Sequence, residues 1–598
     1  MFDPARYTPE YLRSLIPEIF ALARRSRSVD GFRRAISEFS RAMQYETFGG
    51  HEAFSAQTII RVRDCAHAIN LIFTRRSEDK AGFSVAQALF DLARARPRPD
   101  LSCAFMADIL HIFLGLQGKG YQTRFADHHL VASQLEGREA ALERSRQLDT
   151  LAEDIRERMA RYADGLAPEA AARRLARRKH ILCVLGATLK EWQDWRWQYQ
   201  NVLKDPDLLA RLVNLSPQEA GAVRKVRQAK IPFGITPHYL SLMDDDSQAG
   251  RDRAIRAQVL PPESYIRQMT RQGAGSRFCQ DFMREADTSP IDLITRRYPS
   301  ICIFKPFNTC PQICVYCQRN WEIDDAMMEG ALAPEKKIRA ALEWIEAHPA
   351  IHEVLITGGD PLGMGDEDLE RILAGVAAIP SVERIRIGTR TLVTAPMRVT
   401  ASLAGILARY RIPGARQMAV VTHIQHPYEI TPATVAAVER LKIRGIPVFN
   451  QMVYTFYVSR RFEAVLLRRN LSKIGVEPYY SFNTKGKEET MEYRTPIARL
   501  LQEQKEEARM LPGLSRTDEA VYNVPGMGKN YLRAWQHHDL ISILPDGARL
   551  YEFHPWEKNI SKTITTHIGQ DVPILDYLSR LHALGEDVMD YETIWYYF

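Results

Sequence analysis

Three cysteines, Cys310, Cys314 and Cys317, lie in the run CPQICVYC, just after a short β-rich segment, ICIFK. Three thiolates in one short loop suit one cubic iron–sulfur cluster. Such a cluster normally takes four protein ligands, so three leave one iron open to a cofactor or substrate. Structural zinc is the rival reading, but it prefers four ligands in two pairs, and no cysteine follows Cys317. Two other places carry residues suited to chemistry. In ITGGDP, Gly358, Gly359 and Asp360 end the next β-rich segment; glycines there either let backbone approach a ligand closely or simply make a turn. Near the end of the chain, YNVPGMGKNY holds Lys529 in a Pro- and Gly-rich loop. It is not a Walker A loop, because Asn523 stands where the first Gly is needed and Asn530 where Ser or Thr is needed. Lys529 is then either a solvated turn residue or the amine that forms a Schiff base with pyridoxal phosphate.

The loops must be positioned by the elements around them. The runs ICIFK, HEVLITGG, RIRIGTR, MAVVTH, VFNQMVY and EPYYSFN alternate with segments of helical period such as EKKIRAALEWIEAH. Repeated strand–helix units predict an α/β fold with a parallel sheet. Six of them, fewer than the eight of a complete barrel, predict an incomplete (β/α)6 barrel, with a doubly wound sheet as the alternative. In a barrel the chemistry gathers where strands end, which is where the cysteine and glycine loops fall. From Met1 to about Lys190, apolar residues recur at three- and four-residue spacing, as in ALERSRQLDTLAEDIRERMARY. That predicts a large all-α N-terminal region, whose role its residues do not reveal. The expected organisation is residues 1–190 helical, 191–295 a helical lead-in, 296–485 the partial barrel and 486–598 a C-terminal region carrying Lys529.

Bulk properties narrow the function classes. With 598 residues, 45% hydrophobic and 26% charged, the chain is too apolar for a disordered protein and long enough for two to four domains. A net charge of +7, with the Arg clusters set among acidic residues, argues against nucleic-acid binding. The opening MFDPARYTPEYL has no export or organelle-targeting pattern, and the apolar run around Phe105–Leu116 is interrupted by Asp108 and His111. It is also shorter than the roughly twenty residues of a membrane span, so a cytoplasmic protein without membrane contact is expected. In that reducing compartment the eight cysteines argue for a metal or catalytic cluster rather than disulfides.

The Cys-x3-Cys-x2-Cys spacing, with an aromatic before the last cysteine, resembles the signature of the radical S-adenosylmethionine superfamily. The resemblance implies a [4Fe-4S] cluster on Cys310, Cys314 and Cys317, and S-adenosylmethionine at the open iron. Gly358, Gly359 and Asp360 match the GGE-type loop that contacts the methionine amine. From about Trp192 to Phe598 the chain is similar to the lysine 2,3-aminomutase family. WQDWRWQ, ITPHYLSL, RRYP, the cysteine loop, RIGTR, THIQHPYEIT, NQ, PYY, YRTP and PGMGK occur in the family's order. This implies an isomerase that moves an amino group from C2 to C3 of an amino acid held on pyridoxal phosphate. Lys529 is then the catalytic lysine that anchors pyridoxal phosphate, with Arg297 and Tyr298 around that cofactor and Arg319 on the substrate α-carboxylate. His423 and Gln451 are further cofactor-pocket residues. A reducing electron donor such as flavodoxin or ferredoxin and a possible homo-oligomer complete the expected partners.

Departures from the family also inform. Its PGGGGK loop is here PGMGK, shorter by one residue and with Met527 inside, and the C-terminal zinc cysteines of some members are absent. Val315 and Ile301 replace basic residues of lysine-acting members. Where those members hold the substrate's distal ammonium with two aspartates, this chain has Lys485 and Asn523, which resembles glutamate-acting members. A lysine beside an ammonium repels it, whereas a cation and an amide suit a distal carboxylate. The expected reaction is L-glutamate to β-glutamate, and Lys487, two residues on, is the alternative bearer of that charge. Lysine, arginine, another amino acid or a protein lysine side chain are the alternative substrates, and a non-catalytic interaction protein is the alternative class.

Overall fold

The computed structural model describes residues 2–49, 54–123, 135–246, 249–271, 281–484, 487–555 and 566–598. Its centre is a nine-stranded sheet in which spatial order follows chain order. The strands are β1 (Ile294–Thr295), β2 (Ile301–Phe307), β3 (Glu353–Gly358), β4 (Arg384–Thr389), β5 (Gln417–Thr422), β6 (Val448–Tyr454), β7 (Val476–Asn483), β8 (Glu519–Val524) and β9 (Gly528–Tyr531). From β2 to β8 the strands run parallel; β1 and β9 are antiparallel additions at either edge. All six β-rich runs read from the sequence are strands. The run before Lys529, read as a loop, is instead the hairpin β8–β9.

Composition explains the sheet. Ile, Val and Phe repeat with a period of two, so that Val448, Asn450, Met452 and Tyr454 of β6 are buried while Gln451 and Val453 are turned toward a cavity. Helices Glu335–Glu346, Asp366–Ala378, Ala401–Arg409, Pro432–Ile443 and Glu463–Lys473 join successive parallel strands, as parallel pairing requires. They bury Ile338, Ile345, Leu369, Leu403 and Leu441 against them.

Among the described residues every named element before β1 is a helix, the last α-helix being Glu263–Arg271. Helices Ala56–Ile72 and Cys103–Leu116 pack against the strands β10 (His538–Ile543), β11 (Arg549–Phe553) and β12 (His567–Gln570), an antiparallel sheet that shares its core with them. At this junction Arg549 donates twice to Asp108, at 2.8 and 2.9 Å, with both side chains about 1% exposed. Gly547 has φ 85°, and a Cβ there would come within 2.4 Å of Ala104. Only glycine permits so close an approach of turn to helix. Among the described residues no helix is long and apolar enough to cross a membrane.

Candidate active site

The C-terminal ends of β2 to β6 and the hairpin β8–β9 surround one cavity of about 350 Å³. It is lined by Cys310, Cys314, Cys317, Gly358, Gly359, Asp360, His423, Gln451, Arg297, Tyr298, Arg319, Asn523 and Lys529, which brings together every site residue expected from the sequence except Lys485. Lys485 lies outside the described residues.

The cysteine loop leaves β2 and is pinned on both sides. Thr309 donates its hydroxyl to the Asp325 carbonyl at 2.8 Å, and Cys317 N donates to the Cys314 carbonyl at 3.0 Å, closing the turn. All three thiols are free. Burial pushes the Cys310 thiol well above its usual range, and the neighbouring Cys317 and Cys314 add to the shift. Among the described residues no three His, Cys, Asp or Glu side chains stand in a ready metal-ligand set. The donor chemistry nevertheless fits an iron–sulfur cluster. Three thiols of one loop face one cavity, and N–H donors are aimed at two of the sulfurs, Arg390 Nη1 at 2.8 Å from Cys314 Sγ and Arg319 N at 3.4 Å from Cys317 Sγ.

The glycine loop after β3 lies directly on the cysteine loop. A Cβ on Gly359 would stand 2.1 Å from the Thr309 carbonyl, so the dipeptide serves close backbone packing. The Asp360 carboxylate accepts from the Thr389 hydroxyl (2.6 Å), the Thr391 hydroxyl (3.0 Å), Arg390 N (2.9 Å) and Leu362 N (3.0 Å). It thus ties the β3 loop to the β4 loop, and burial raises its pKa.

Lys529 and Asn523 are cross-strand partners in the hairpin β8–β9. Met527, the residue that departs from an all-glycine loop, is buried in the core under the turn. The Lys529 ammonium donates to the Tyr298 hydroxyl at 2.5 Å and lies 5.4 Å from the Tyr480 ring centre. Asn523 is buried, and its Oδ1 has no hydrogen-bond partner. Arg297 reaches the Met283 carbonyl (2.8 Å) and the Thr288 hydroxyl (3.4 Å).

Sequence reasoning missed Glu285. It accepts from Arg319 Nε (3.1 Å) and Nη2 (2.8 Å), with the Lys305 ammonium at 3.6 Å. Burial alone would raise its pKa, but the charge and hydrogen bonds of Arg319, backed by Lys305 and Arg297, outweigh that and hold it down at about 2. The pair engages one side of the guanidinium and leaves Nη1 out of it. Nothing in the spacing of READTSP points to this carboxylate. Lys487 is 3% exposed at the cavity wall, bonded to Asn320 Oδ1 (2.7 Å) and the Cys317 carbonyl (3.2 Å) and paired with Glu489 at 2.8 Å. Arg390, the last residue of RIGTR, was also unassigned.

No protein-family model matches the chain. An uncharacterized KamA family protein of Methanocaldococcus jannaschii is 40% identical over 98% of this chain and 97% of its own length. Glutamate 2,3-aminomutase of Clostridioides difficile is 33% identical over 54% of this chain and 72% of its own length. L-lysine 2,3-aminomutase of Fusobacterium nucleatum is 34% identical over 52% of this chain and 70% of its own length. With the cysteine loop, the lysine hairpin and the arginine cavity in one place, the chain belongs to the KamA family of radical S-adenosylmethionine isomerases, which work with a [4Fe-4S] cluster, S-adenosylmethionine and pyridoxal phosphate.

Proposed function

We propose that the protein is a 2,3-aminomutase that converts L-glutamate to β-glutamate. The observation that carries this reading is the charge of the cavity. Arg297, Arg319, Arg390, Lys487 and Lys529 line it against two lining carboxylates, Glu285 and Asp360, both already engaged, while Glu429 and Glu489, outside the lining, pair Arg390 and Lys487. A substrate bearing a distal ammonium would find no free carboxylate among the described lining residues, and its burial would cost several kcal/mol. A dicarboxylate and a phosphate suit the same walls.

When bound, the cluster with S-adenosylmethionine supplies the radical that takes a β-hydrogen, and pyridoxal phosphate supplies the conjugated system through which nitrogen moves. The chain's own residues bind and orient. Cys310, Cys314 and Cys317 hold the cluster, and Gly358 and Gly359 keep the β3 loop close enough to frame it, with Asp360 fixing that loop. His423 and Gln451 line the space for S-adenosylmethionine. Lys529 anchors pyridoxal phosphate beside Tyr298, with Arg297 toward its phosphate. Arg319 offers Nη1 to the α-carboxylate, while Lys485 and the Nδ2 amide donor of Asn523 take the distal carboxylate. An incomplete (β/α)6 barrel is supported by the Lys529–Tyr298 contact, which links residues beside the two opposite edges of the sheet. In this reading residues 296–485 are the barrel, 191–295 its lead-in, 486–598 the part carrying Lys529, and 1–190 a helical part of unassigned role. The protein works in the cytoplasm with a flavodoxin- or ferredoxin-type reductant.

The test is an anaerobic assay of the reconstituted, reduced protein with glutamate, lysine, arginine and aspartate offered separately, with β-amino acids resolved by mass spectrometry. β-Glutamate should form, vanish in Lys529→Ala and Cys314→Ala, and fall sharply in Lys485→Asp/Asn523→Asp. A β-amino acid from lysine alone overturns the glutamate assignment.

A further inference from the structure

Tyr239 of ITPHYLSL, Arg390 of RIGTR and Glu429 of THIQHPYEIT, runs that resemble the family in order, have no part in the roles above. The structure joins them, together with the tyrosine before the last cysteine, in one buried network behind the cysteine loop. Arg390 follows β4, and its side chain is only 10% exposed. Its Nη1 lies 2.8 Å from Cys314 Sγ and its Nε donates to the His423 carbonyl at 3.3 Å. Nη2 donates to Glu429 Oε1 (2.6 Å), to the Tyr239 hydroxyl (3.2 Å) and to Gln258 Oε1.

The acceptors are themselves fixed. Glu429 is fully buried; its Oε1 also accepts from Tyr239 (2.7 Å) and Gln258 Nε2 (3.0 Å), and its Oε2 from the backbone N–H groups of Gln425 (2.6 Å) and His426 (3.3 Å). Gln258 in turn grips the loop twice, its carbonyl accepting from Val315 N at 2.9 Å and its Oε1 from the Tyr316 hydroxyl at 2.8 Å. Each nitrogen of the guanidinium thus has an acceptor, with Nη1 directed at the sulfur.

We propose that Arg390 is a positioning residue that sets the reduction potential of the cluster through its hydrogen bond to Cys314, with Glu429 as the counter-charge that limits the effect. The inference rests on the cysteine loop holding an iron–sulfur cluster. Reduction adds one negative charge to the cluster and spreads part of it onto the ligand sulfurs. A fixed cationic donor at one sulfur in a buried setting stabilises the reduced form and raises the potential. Removing that charge lowers it, and removing the opposing carboxylate raises it.

The experiment is a redox titration followed by electron paramagnetic resonance, on the anaerobically reconstituted full chain without S-adenosylmethionine, with iron and sulfide contents measured alongside. Arg390→Gln should keep its iron and titrate at a more negative midpoint than the unaltered protein, Arg390→Lys should lie between them, and Glu429→Gln should titrate at a more positive midpoint. A merely structural role would reduce iron content in Arg390→Gln and Glu429→Gln alike, without opposite displacements of the potential. Unmoved midpoints, or both moved the same way, overturn the proposal. If Arg390→Gln loses its iron, the sign of the Glu429→Gln displacement decides. Absence of cluster from the unaltered protein is a separate result, and defeats the reading of the cysteine loop itself.

Discussion

Lys529 Nζ donates to the Tyr298 hydroxyl at 2.5 Å and lies 4.6 Å from the centre of the same ring, across 231 residues of chain. The tyrosine thus holds the amine at the mouth of β9 by a hydrogen bond. Lys529→Ala should abolish borohydride-trappable pyridoxal phosphate. Tyr298→Phe should keep it trappable but bind it about 10-fold more weakly, because the hydroxyl, released when Lys529 takes up the cofactor, becomes a donor to that cofactor. Absorbance titration measures both, and an unchanged affinity in Tyr298→Phe makes the hydroxyl a bystander.

Glu285 and Arg319 form a second such pair, 4% and 10% exposed at their side chains. With Glu285 on one side of the guanidinium, Arg319 is oriented before any substrate arrives. Glu285→Gln should raise KM for the amino acid by about tenfold while kcat changes little, because the lost interaction is felt equally in ground and transition states. Glu285→Ala should in addition lower stability by about 3–5 kcal/mol, the cost of a buried charge left without its partner. Steady-state kinetics and denaturant unfolding separate the two effects.

Much of this site was legible because its chemistry is local. Cys310, Cys314 and Cys317 fall within one turn-rich loop, and β2 to β7 announce themselves by short β-branched runs between helical segments. What could not be read depends on contacts between distant residues. Glu285 meets Arg319 34 positions away, and Arg390 meets Cys314 76 positions away, with no spacing rule to join either pair. The strand β8 was hidden because YNVPGMG carries turn residues that mark the end of a strand as readily as a loop. Val315 stands where lysine-acting members have an arginine; it is packed in the core with Tyr428 and Tyr493.

The N-terminal helices also have a measurable dependence on the end of the chain. Arg549 is fully enclosed, paired with Asp108 and bonded to the Trp595 carbonyl at 2.7 Å, while Trp595 stacks on His111 at 4.6 Å. Asp108→Asn should destabilise the protein by about 3–5 kcal/mol, whereas Asp108→Leu/Arg549→Met, which removes both charges, should recover most of that loss. Denaturant midpoints of the single and double variants give the coupling directly. Equal losses in both would mean that packing, not charge, holds the junction.

Acid should weaken the fold already above about pH 4.5, through its buried histidines. Burial pushes His111 down to about 3, His238 to about 3 and His538 to about 4, all below the roughly 6.5 of an exposed imidazole. Between those values the unfolded chain takes up protons that the folded one refuses, so their contribution is complete above about pH 6.5 and drains away as pH falls. Asp571 works in the opposite sense, because burial raises it to about 7 and the folded state keeps its proton where the unfolded state has lost it. Its contribution is complete below about 3.9 and is lost as pH rises toward 7. Three protons against one leave a net excess of about two in the unfolded state, so stability should fall by about 3 kcal/mol per pH unit between about 6 and 4.5. In His111→Phe, which keeps an aromatic ring against Trp595, the slope should drop to about half. Unfolding free energies measured at several pH values check this, and an unchanged slope in His111→Phe means that this imidazole is already protonated in the folded protein.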